Sequence, residues 1–163
     1  MLNLMLMRHG KSDWDAGAPD DHSRPLAPRG ERAAERMGEV LRELGLVPGL
    51  VVSSTSARAR ATAELARITG GWDSRLVLDD DLYGASVPET LAAAERHGNE
   101  YERIMLVGHE PTWSMTVRRL TGARVTMRTA TVADIELSTI NWQNLDEAAG
   151  TLAVLLQSKL FVD

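Results

Sequence analysis

Short apolar segments alternate along this chain with longer segments of helical periodicity, and this alternation restricts the fold more than any other feature. The apolar segments 2–7, 50–52 and 103–107 have the length of strands, and each ends in polar residues. Segment 28–44 begins with Pro28, has apolar side chains at helical spacing and stops before Gly45, as a helix would. The alternation predicts an α/β fold, a three-layer sandwich with a mostly parallel central sheet.

The last third of the chain predicts two further strands. Residues 132–138 alternate apolar and polar side chains, which indicates a half-exposed strand at or near an edge of the sheet. Residues 151–157 are mostly apolar and predict a buried final strand. The sequence has 163 residues, an ordinary length for one domain, and shows no internal repeat or interdomain linker. We therefore expect a single domain over residues 1–163.

Composition narrows the classes of protein to consider. The chain has no cysteine, which excludes disulfide scaffolds, thiol nucleophiles and iron–sulfur clusters. Its net charge of −5 argues against general nucleic-acid binding. The apolar N-terminal segment has no basic leader and is interrupted by Arg8 and His9, so it resembles neither a secretory signal nor a membrane span. We expect a cytoplasmic protein that binds neither nucleic acid nor membrane.

Polar clusters follow three of the predicted strands at the point where each strand ends. They are Arg8-His9-Gly10 after the first strand, residues 54–58 after the second, and Gly108-His109 after segment 103–107. Because ligand sites of open α/β sheets form beyond the carboxyl ends of the strands, we expect these clusters to meet in one pocket. Guanidinium groups bind phosphoryl oxygens through charge-assisted bonds, and a neutral imidazole among them can attack phosphorus. The clusters therefore predict phosphoryl-transfer chemistry.

Two arginines in the helix predicted after Ser56 are candidates for this pocket. Arg58 and Arg60 are two residues apart, so their side chains point to nearly opposite sides of a helix. Arg58 lies in the first turn, close to the strand end, and shares a face with Thr62 and Leu65. We expect Arg58 to face the pocket and Arg60 to be solvated.

Four short segments occur in a defined order along the chain. They are Met7-Arg8-His9-Gly10, Ser23-Arg24-Pro25-Leu26, the pattern from Ser54 through Arg58-Ala59 to Thr62, and Leu106-Val107-Gly108-His109. Together they resemble the histidine phosphatase superfamily, which has the phosphoglycerate mutase-like fold. The resemblance covers about residues 2–131 and is closest to the small SixA-like branch of phosphohistidine phosphatases. It implies a sheet with one antiparallel strand and a reaction without metal or cofactor.

The resemblance also implies roles for individual residues. His9 is expected to be the nucleophile that becomes transiently phosphorylated. Arg8, Arg58 and His109 are expected to hold the phosphoryl group. Arg24, in the long loop 13–27, is expected to make a further phosphate or substrate contact.

Residues around the first strand end are candidates for substrate binding. Gly10 is expected to let the backbone approach the substrate, and Lys11 to add positive potential at the pocket mouth. Trp14 is a candidate for the rim. The segment Gly10-Lys11-Ser12 resembles the end of a nucleotide-binding P-loop, but position 5 is Met where that motif requires glycine. Spacing of the histidines likewise fits no common metal-binding motif.

Two carboxyl groups are candidates for the general acid that would protonate a leaving group, and the sequence does not decide between them. Asp21 lies three residues before Arg24 and is the first candidate. Glu89 is the second, although it also fits a helix capping box with Ser86. A phosphohistidine substrate needs less help from such an acid, because an imidazole leaving group can depart already protonated.

The expected function is that of a metal-independent phosphatase acting on phosphohistidine of a partner protein. A chain of 163 residues has little room for insertions that would close a lid over a small metabolite, so a protruding side chain is the favoured substrate. One alternative is a phosphomonoesterase that acts on small phosphate esters with the same residues. Another is a non-catalytic module that binds phosphorylated ligands.

Overall fold

The alternation of strands and helices is confirmed in the computed structural model, which describes residues 1–162. The strands are β1 (Leu2–Arg8), β2 (Leu50–Ser53), β3 (Arg75–Leu78), β4 (Arg103–Gly108), β5 (Val132–Leu137) and β6 (Gly150–Leu156). The helices are α1 (Pro28–Glu43), α2 (Ala57–Thr69), α3 (Val87–Gly98) and α4 (Thr112–Thr121). Single-turn helices lie at Asp80–Leu82, Leu145–Glu147 and Ser158–Leu160. Within this part of the chain, no helix is long and apolar enough to cross a membrane.

The six strands form one sheet in the order β3-β2-β4-β1-β5-β6. Strand β1 pairs in parallel with β4, and β2 pairs in parallel with both β4 and β3. Strand β5 is antiparallel to both of its neighbours, β1 and β6, so the described sheet has the one antiparallel strand that the resemblance implied. The carboxyl ends of β1, β2 and β4 consequently lie side by side at the same edge of the sheet.

Helices cover both faces of the sheet, as the three-layer prediction required. Successive side chains of a strand point to opposite faces. Leu4 of β1 belongs to an apolar cluster that includes Trp113 of α4, whereas Met5 belongs to a second cluster with Met37 of α1 and Ala63 of α2. All five side chains are almost completely buried. Two apolar layers of this kind hold the central sheet and the strand ends in fixed positions.

The expected burial of the last two strands is wrong in part. Strand β5 lies near the edge, as predicted, but it is buried rather than half-exposed, and Asp134 is only 2% exposed. The Asp134 carboxylate accepts a hydrogen bond from Asn3 at 3.1 Å and lies 3.5 Å from a guanidinium nitrogen of Arg103. Strand β6 is one of the two edge strands, with Thr151 and Ala153 exposed, instead of the buried strand that its apolar composition indicated.

Helices α1 and α2 pack without space for a side chain at Gly38. A Cβ atom there would overlap the carbonyl oxygen of Ala66 in α2. The Gly38 carbonyl also accepts a hydrogen bond from the indole nitrogen of Trp72 at 3.1 Å. Since backbone meets backbone at this crossing, the helices have to separate before any larger residue fits. This contact sets the distance of α2, and of Arg58 at its beginning, from α1.

We expect Gly38→Ala to destabilise the protein by about 3 kcal/mol, the upper part of the usual range for overpacking. The matched control is Gly122→Ala. A Cβ at Gly122 meets no atom within 4 Å, so this variant bears only the cost of its left-handed backbone (φ +78°). That cost is about 1–2 kcal/mol. Chemical denaturation measures both free energies of unfolding, and equal losses in the two variants would contradict the packing argument.

Candidate active site

The three polar clusters expected to converge do meet, in a cleft of about 500 Å³ beyond the carboxyl ends of β1, β2 and β4. Its lining includes most of the candidates from the sequence: Arg8, His9, Lys11, Trp14, Asp21, Arg24, Arg58 and His109. The ring centroids of His9 and His109 are 5.3 Å apart. Gly10 and Glu89 are not among the lining residues.

The His9 side chain is held in one defined orientation. Its Nδ1 atom lies 2.7 Å from the carbonyl oxygen of Gly10, and its Nε2 atom lies 3.4 Å from Nε of Arg58. A carbonyl only accepts and a guanidinium only donates, so the proton is on Nδ1 and Nε2 presents its lone pair. Burial, together with the charges of Arg58 and Arg8, lowers the pKa of His9 to about 3. The imidazole is therefore neutral, and His9 lines the cleft with an unprotonated Nε2.

Gly10 orients His9 instead of approaching a substrate. Its amide donates to Oγ1 of Thr62 at 3.0 Å, and a Cβ atom at Gly10 would come within 2.7 Å of the carbonyl oxygen of Gly30 in α1. The role in substrate binding expected from the sequence is therefore not supported. The residue has to be glycine because the end of β1 packs directly against the backbone of α1.

Arg58 and Arg60 take the two positions expected from their spacing. The Arg58 side chain is inside the cleft and donates to the backbone carbonyl of Asp21 at 2.7 Å and to its carboxylate at 3.0 Å. Arg58 is only 6% exposed. The Arg60 side chain is outside the cleft, exposed, and paired with Glu64 at 2.9 Å. Ser56 caps the helix by accepting the amide of Ala59, which fixes the first turn that carries Arg58.

Arg8 contributes a second guanidinium to the same cleft. Its Nη1 atom donates to the carbonyl oxygen of Met127 at 3.0 Å, while its buried Nε–H has no partner within residues 1–162. Burial lowers the pKa of Arg8, and the nearby carboxylate of Glu110 acts in the opposite direction.

Arg24 adds a third guanidinium from the long loop 13–27. Its Nε atom donates to Oγ of Ser12 at 3.1 Å, and its guanidinium carbon lies 3.6 Å from the ring centroid of Trp14. Trp14 is 71% exposed and forms part of the rim. Lys11, also exposed, lines the cleft next to these residues.

Asp21 is arranged as an anion rather than as a general acid. Its carboxylate accepts a hydrogen bond from the hydroxyl of Tyr83 at 2.6 Å and others from Arg24 and Arg58. The Tyr83 hydroxyl, and after it the two guanidinium groups, hold the pKa of Asp21 well below its usual value. Such a carboxyl group has no proton to donate at neutral pH and serves to position the arginines.

Glu89 is occupied at the beginning of α3. Its carboxylate accepts from the amide of Ser86 at 3.2 Å and from its hydroxyl at 2.8 Å. The Ser86 hydroxyl in turn accepts from the amide of Glu89, which completes the capping box noted in the sequence. Since Glu89 is also outside the cleft lining, it is not positioned to protonate a leaving group there.

The second histidine, His109, is neutral like the first. Its Nε2 atom lies 2.9 Å from Oγ of Ser54, which also accepts the amide of Ser56 at 3.3 Å. Burial, followed by the charge of Arg58, lowers the pKa of His109 to about 4. Among the hydrogen bonds of residues 1–162, none involves its Nδ1 atom. That nitrogen is available to an oxygen of a bound ligand.

Sequence reasoning missed three residues of this site. Glu110 lines the cleft and accepts a hydrogen bond from the amide of Ser114 at 2.7 Å. Its position directly after His109, at a strand end, is a sequence signal that could have identified it. Tyr83 lines the cleft through the loop before α3, where no pattern marked it. Ser54 lay inside a recognised segment, but its contact with His109 depends on the pairing of β2 with β4.

Taken together, the cleft offers three guanidinium groups and two neutral imidazoles to a ligand. Such a set suits a phosphoryl group, whose oxygens accept several charge-assisted hydrogen bonds at once. Within residues 1–162, no three histidine, aspartate or glutamate side chains lie where they would hold a metal ion.

Comparison with known families agrees with this geometry. The sequence model of the histidine phosphatase superfamily (branch 1) matches residues 4–87, about half of the chain. The match includes His9, Arg24 and Arg58. The chain belongs to the histidine phosphatase superfamily.

Individual relatives of this histidine phosphatase chain support the same assignment. An uncharacterised protein of Mycobacterium leprae is 36% identical over 122 residues, which is 72% of each chain. A SixA protein of Nakamurella multipartitia is 31% identical, with a TM-score of 0.82 over 96% of this chain and 95% of that one. A SixA protein of Agrobacterium tumefaciens has a TM-score of 0.81 at 24% identity, over 96% and 97% of the two chains, and shows the fold alone.

The comparisons support a phosphatase without identifying its substrate. This chain spans 65% to 72% of the length of four uncharacterised relatives from Arabidopsis thaliana and mycobacteria. The SixA structures, in contrast, are covered almost completely. The sandwich with one antiparallel strand is thus the phosphoglycerate mutase-like fold of the superfamily.

The positions of the two α2 arginines generate one prediction. Arg58→Ala should lower kcat/KM for an aryl phosphate by about 10²–10³-fold, because a buried donor to the phosphoryl oxygens is lost. Arg60→Ala removes an exposed ion pair and should change kcat/KM by less than about twofold. Melting temperatures of both variants show whether loss of the Arg58–Asp21 contact also loosens loop 13–27. The reverse order of effects would contradict the assignment of these side chains.

The lowered pKa values of the two cleft histidines generate a second prediction. In the folded protein, NMR titration should find His9 and His109 still neutral at about pH 5.5, with pKa values of about 3 and about 4. In urea the same imidazoles should titrate near 6.5. Below that pH the unfolded state takes up protons that the folded state does not, so the free energy of unfolding falls as pH decreases.

The control for this titration is the His109→Asn variant. It removes one of the two histidines that bind protons only after unfolding, so the loss of stability between pH 6.5 and pH 4 should be smaller than in the wild type. An imidazole signal of His9 or His109 that titrates near 6.5 in the folded protein would contradict the assignment of neutral rings.

Proposed function

We propose that this protein is a phosphatase that removes the phosphoryl group from phosphohistidine of a partner protein, through a covalent intermediate on His9. Membership in the histidine phosphatase superfamily supports the phosphatase activity. The neutral state of His9 and the direction of its Nε2 lone pair support its role as the nucleophile.

The proposed reaction has two displacements at phosphorus. In the first, the lone pair of His9 Nε2 attacks phosphorus while the P–N bond of the substrate breaks and its electron pair goes to the leaving imidazole. Arg8, Arg58 and His109 bind the non-bridging oxygens, where negative charge is concentrated. In the second, water attacks phosphorus and the bond to His9 breaks. Both protons of the water stay with the released phosphate, and His9 returns to its neutral form.

The contacts of the cleft carboxyl groups support phosphohistidine over an alkyl phosphate ester as the substrate. Two carboxyl groups line the cleft within residues 1–162, Asp21 and Glu110. Asp21 is held as an anion by Tyr83 and two arginines, and Glu110 accepts the amide of Ser114. An alkoxide leaving group needs a proton from such an acid. A phosphorylated imidazole with a proton on its other ring nitrogen leaves as neutral imidazole without one.

The exposure of the cleft supports a substrate on a protein surface. The cleft of about 500 Å³ opens to solvent beside Trp14, whose side chain is 71% exposed. An imidazole that projects from a partner reaches an open cleft directly. Sites for small metabolites usually bury most of the ligand surface, which an open cleft does not do.

The test of activity uses an aryl phosphate assayed in the presence of EDTA. Wild type should turn it over, and His9→Ala should lose activity by on the order of 10³-fold or more, as expected for a lost nucleophile. His97→Ala is the matched control, because His97 pairs with Asp79 outside the cleft and its loss should leave turnover intact. Rapid quenching should trap an acid-labile, base-stable phosphoprotein. Tight phosphate binding without turnover would instead indicate a non-catalytic binding module.

The test of substrate class compares a phosphohistidine protein with a panel of sugar and acid phosphates. We expect the highest kcat/KM for the phosphohistidine protein. A metabolite that is processed orders of magnitude faster would contradict the proposed substrate and indicate a small-molecule phosphomonoesterase with the same residues.

A further inference from the structure

A second cavity of about 450 Å³ adjoins the active-site cleft and shares Arg8, Lys11 and Thr129 with it. We call this cavity the basic annex. Its charged lining residues within residues 1–162 are all cationic: Arg8, Lys11, Arg29, Arg128 and Lys159. The polar groups of Thr129, Gln157 and Ser158 complete its polar lining.

The annex concentrates positive charge in a protein that is acidic as a whole. The chain has a net charge of −5 and contains only two lysines, Lys11 and Lys159, and both of them line this cavity. They come from different segments, one after β1 and one in the single-turn helix Ser158–Leu160. Arg29 lies in the first turn of α1, where the helix dipole adds further positive potential. Four distant segments thus bring cations to one place.

Several arginines outside the annex have carboxylate partners, whereas the annex cations have none within residues 1–162. Elsewhere, carboxylates pair with Arg24, Arg36, Arg58, Arg60, Arg96 and Arg103. Within residues 1–162, no ion pair involves any of the five annex cations. Like charges that line one cavity repel each other, and a bound anion removes that repulsion.

We propose that the basic annex binds a second anionic group of the substrate, a carboxylate or a phosphoryl group next to the one that is removed. The inference rests on the proposed phosphatase function and extends it to substrate selection. Arg8 lines both cavities, so a group in the annex and the phosphoryl group at His9 are bound on two sides of one guanidinium. On a protein substrate the second group is an acidic side chain that flanks the phosphohistidine. On a metabolite it is a second phosphate.

The experiment compares two pairs of substrates that differ only in the second anionic group. One pair is a phosphohistidine peptide with glutamate flanks and the same peptide with glutamine flanks. The other pair is a sugar bisphosphate and the corresponding monophosphate. Wild type should prefer the more acidic member of at least one pair by about 10-fold in kcat/KM, the sum of several exposed ion pairs. Raising the salt concentration should reduce this preference.

The annex variant for this experiment carries Arg29→Gln, Arg128→Gln and Lys159→Gln together. None of these three residues lines the active-site cleft, so turnover of a plain aryl phosphate should be unchanged. The preference for the acidic substrate should disappear. The charge-matched control carries Arg118→Gln, Arg119→Gln and Arg124→Gln, which are exposed arginines outside both cavities, and should keep the preference.

The outcomes separate this inference from the proposed function. A preference lost only in the annex variant supports the annex, and the substrate pair that shows it identifies the source of the anion. Equal rates within both pairs, or a preference that survives in the annex variant, overturn it. Absence of aryl phosphate turnover contradicts the proposed function alone. Peptide affinity is then measured in the His9→Ala background, where equal affinity for the glutamate and glutamine peptides overturns the annex as well.

Discussion

The hydrogen bond between Nδ1 of His9 and the carbonyl oxygen of Gly10, 2.7 Å long, determines what the cleft can do. It holds the ring proton on Nδ1 and leaves the Nε2 lone pair beside Arg58. The bond requires the chain to turn at Gly10 against the backbone of Gly30, where a Cβ atom would approach the carbonyl oxygen to 2.7 Å. The close contact between Gly10 and α1 thus accompanies the hydrogen bond that sets the tautomer of His9.

In this site the histidine side chains are neutral and the arginine side chains are charged. Burial lowers the pKa values of His9 and His109 to about 3 and about 4, so both rings stay neutral. The arginines keep their charge and provide the attraction for a phosphoryl group. The Asp21 carboxylate offsets one of these positive charges, and its contacts with Tyr83, Arg24 and Arg58 fix two guanidinium groups in direction.

The parts of this structure that depend on local pattern were readable from the sequence. Strand ends, the helix face of Arg58 and the capping box of Glu89 each follow from spacing within a few residues. The burial of β5 does not follow from local spacing. The buried Asp134 carboxylate accepts a hydrogen bond from Asn3, which is 131 residues away in the chain. The role of Gly10 likewise depends on how closely α1 approaches it. Contacts between residues far apart in the chain determine both features, and the local periodicity of the sequence carries no information about such contacts.

The basic annex shows why net charge alone misleads about ligands. A total of −5 repels an extended polyanion, but charges are screened beyond about 8 Å at physiological ionic strength. The five annex cations, which four segments of the chain bring together, therefore determine the local potential at the cavity. The protein thereby attracts a compact anionic group at one point while its remaining surface discourages long acidic polymers. This combination favours a substrate with two or three closely spaced negative charges.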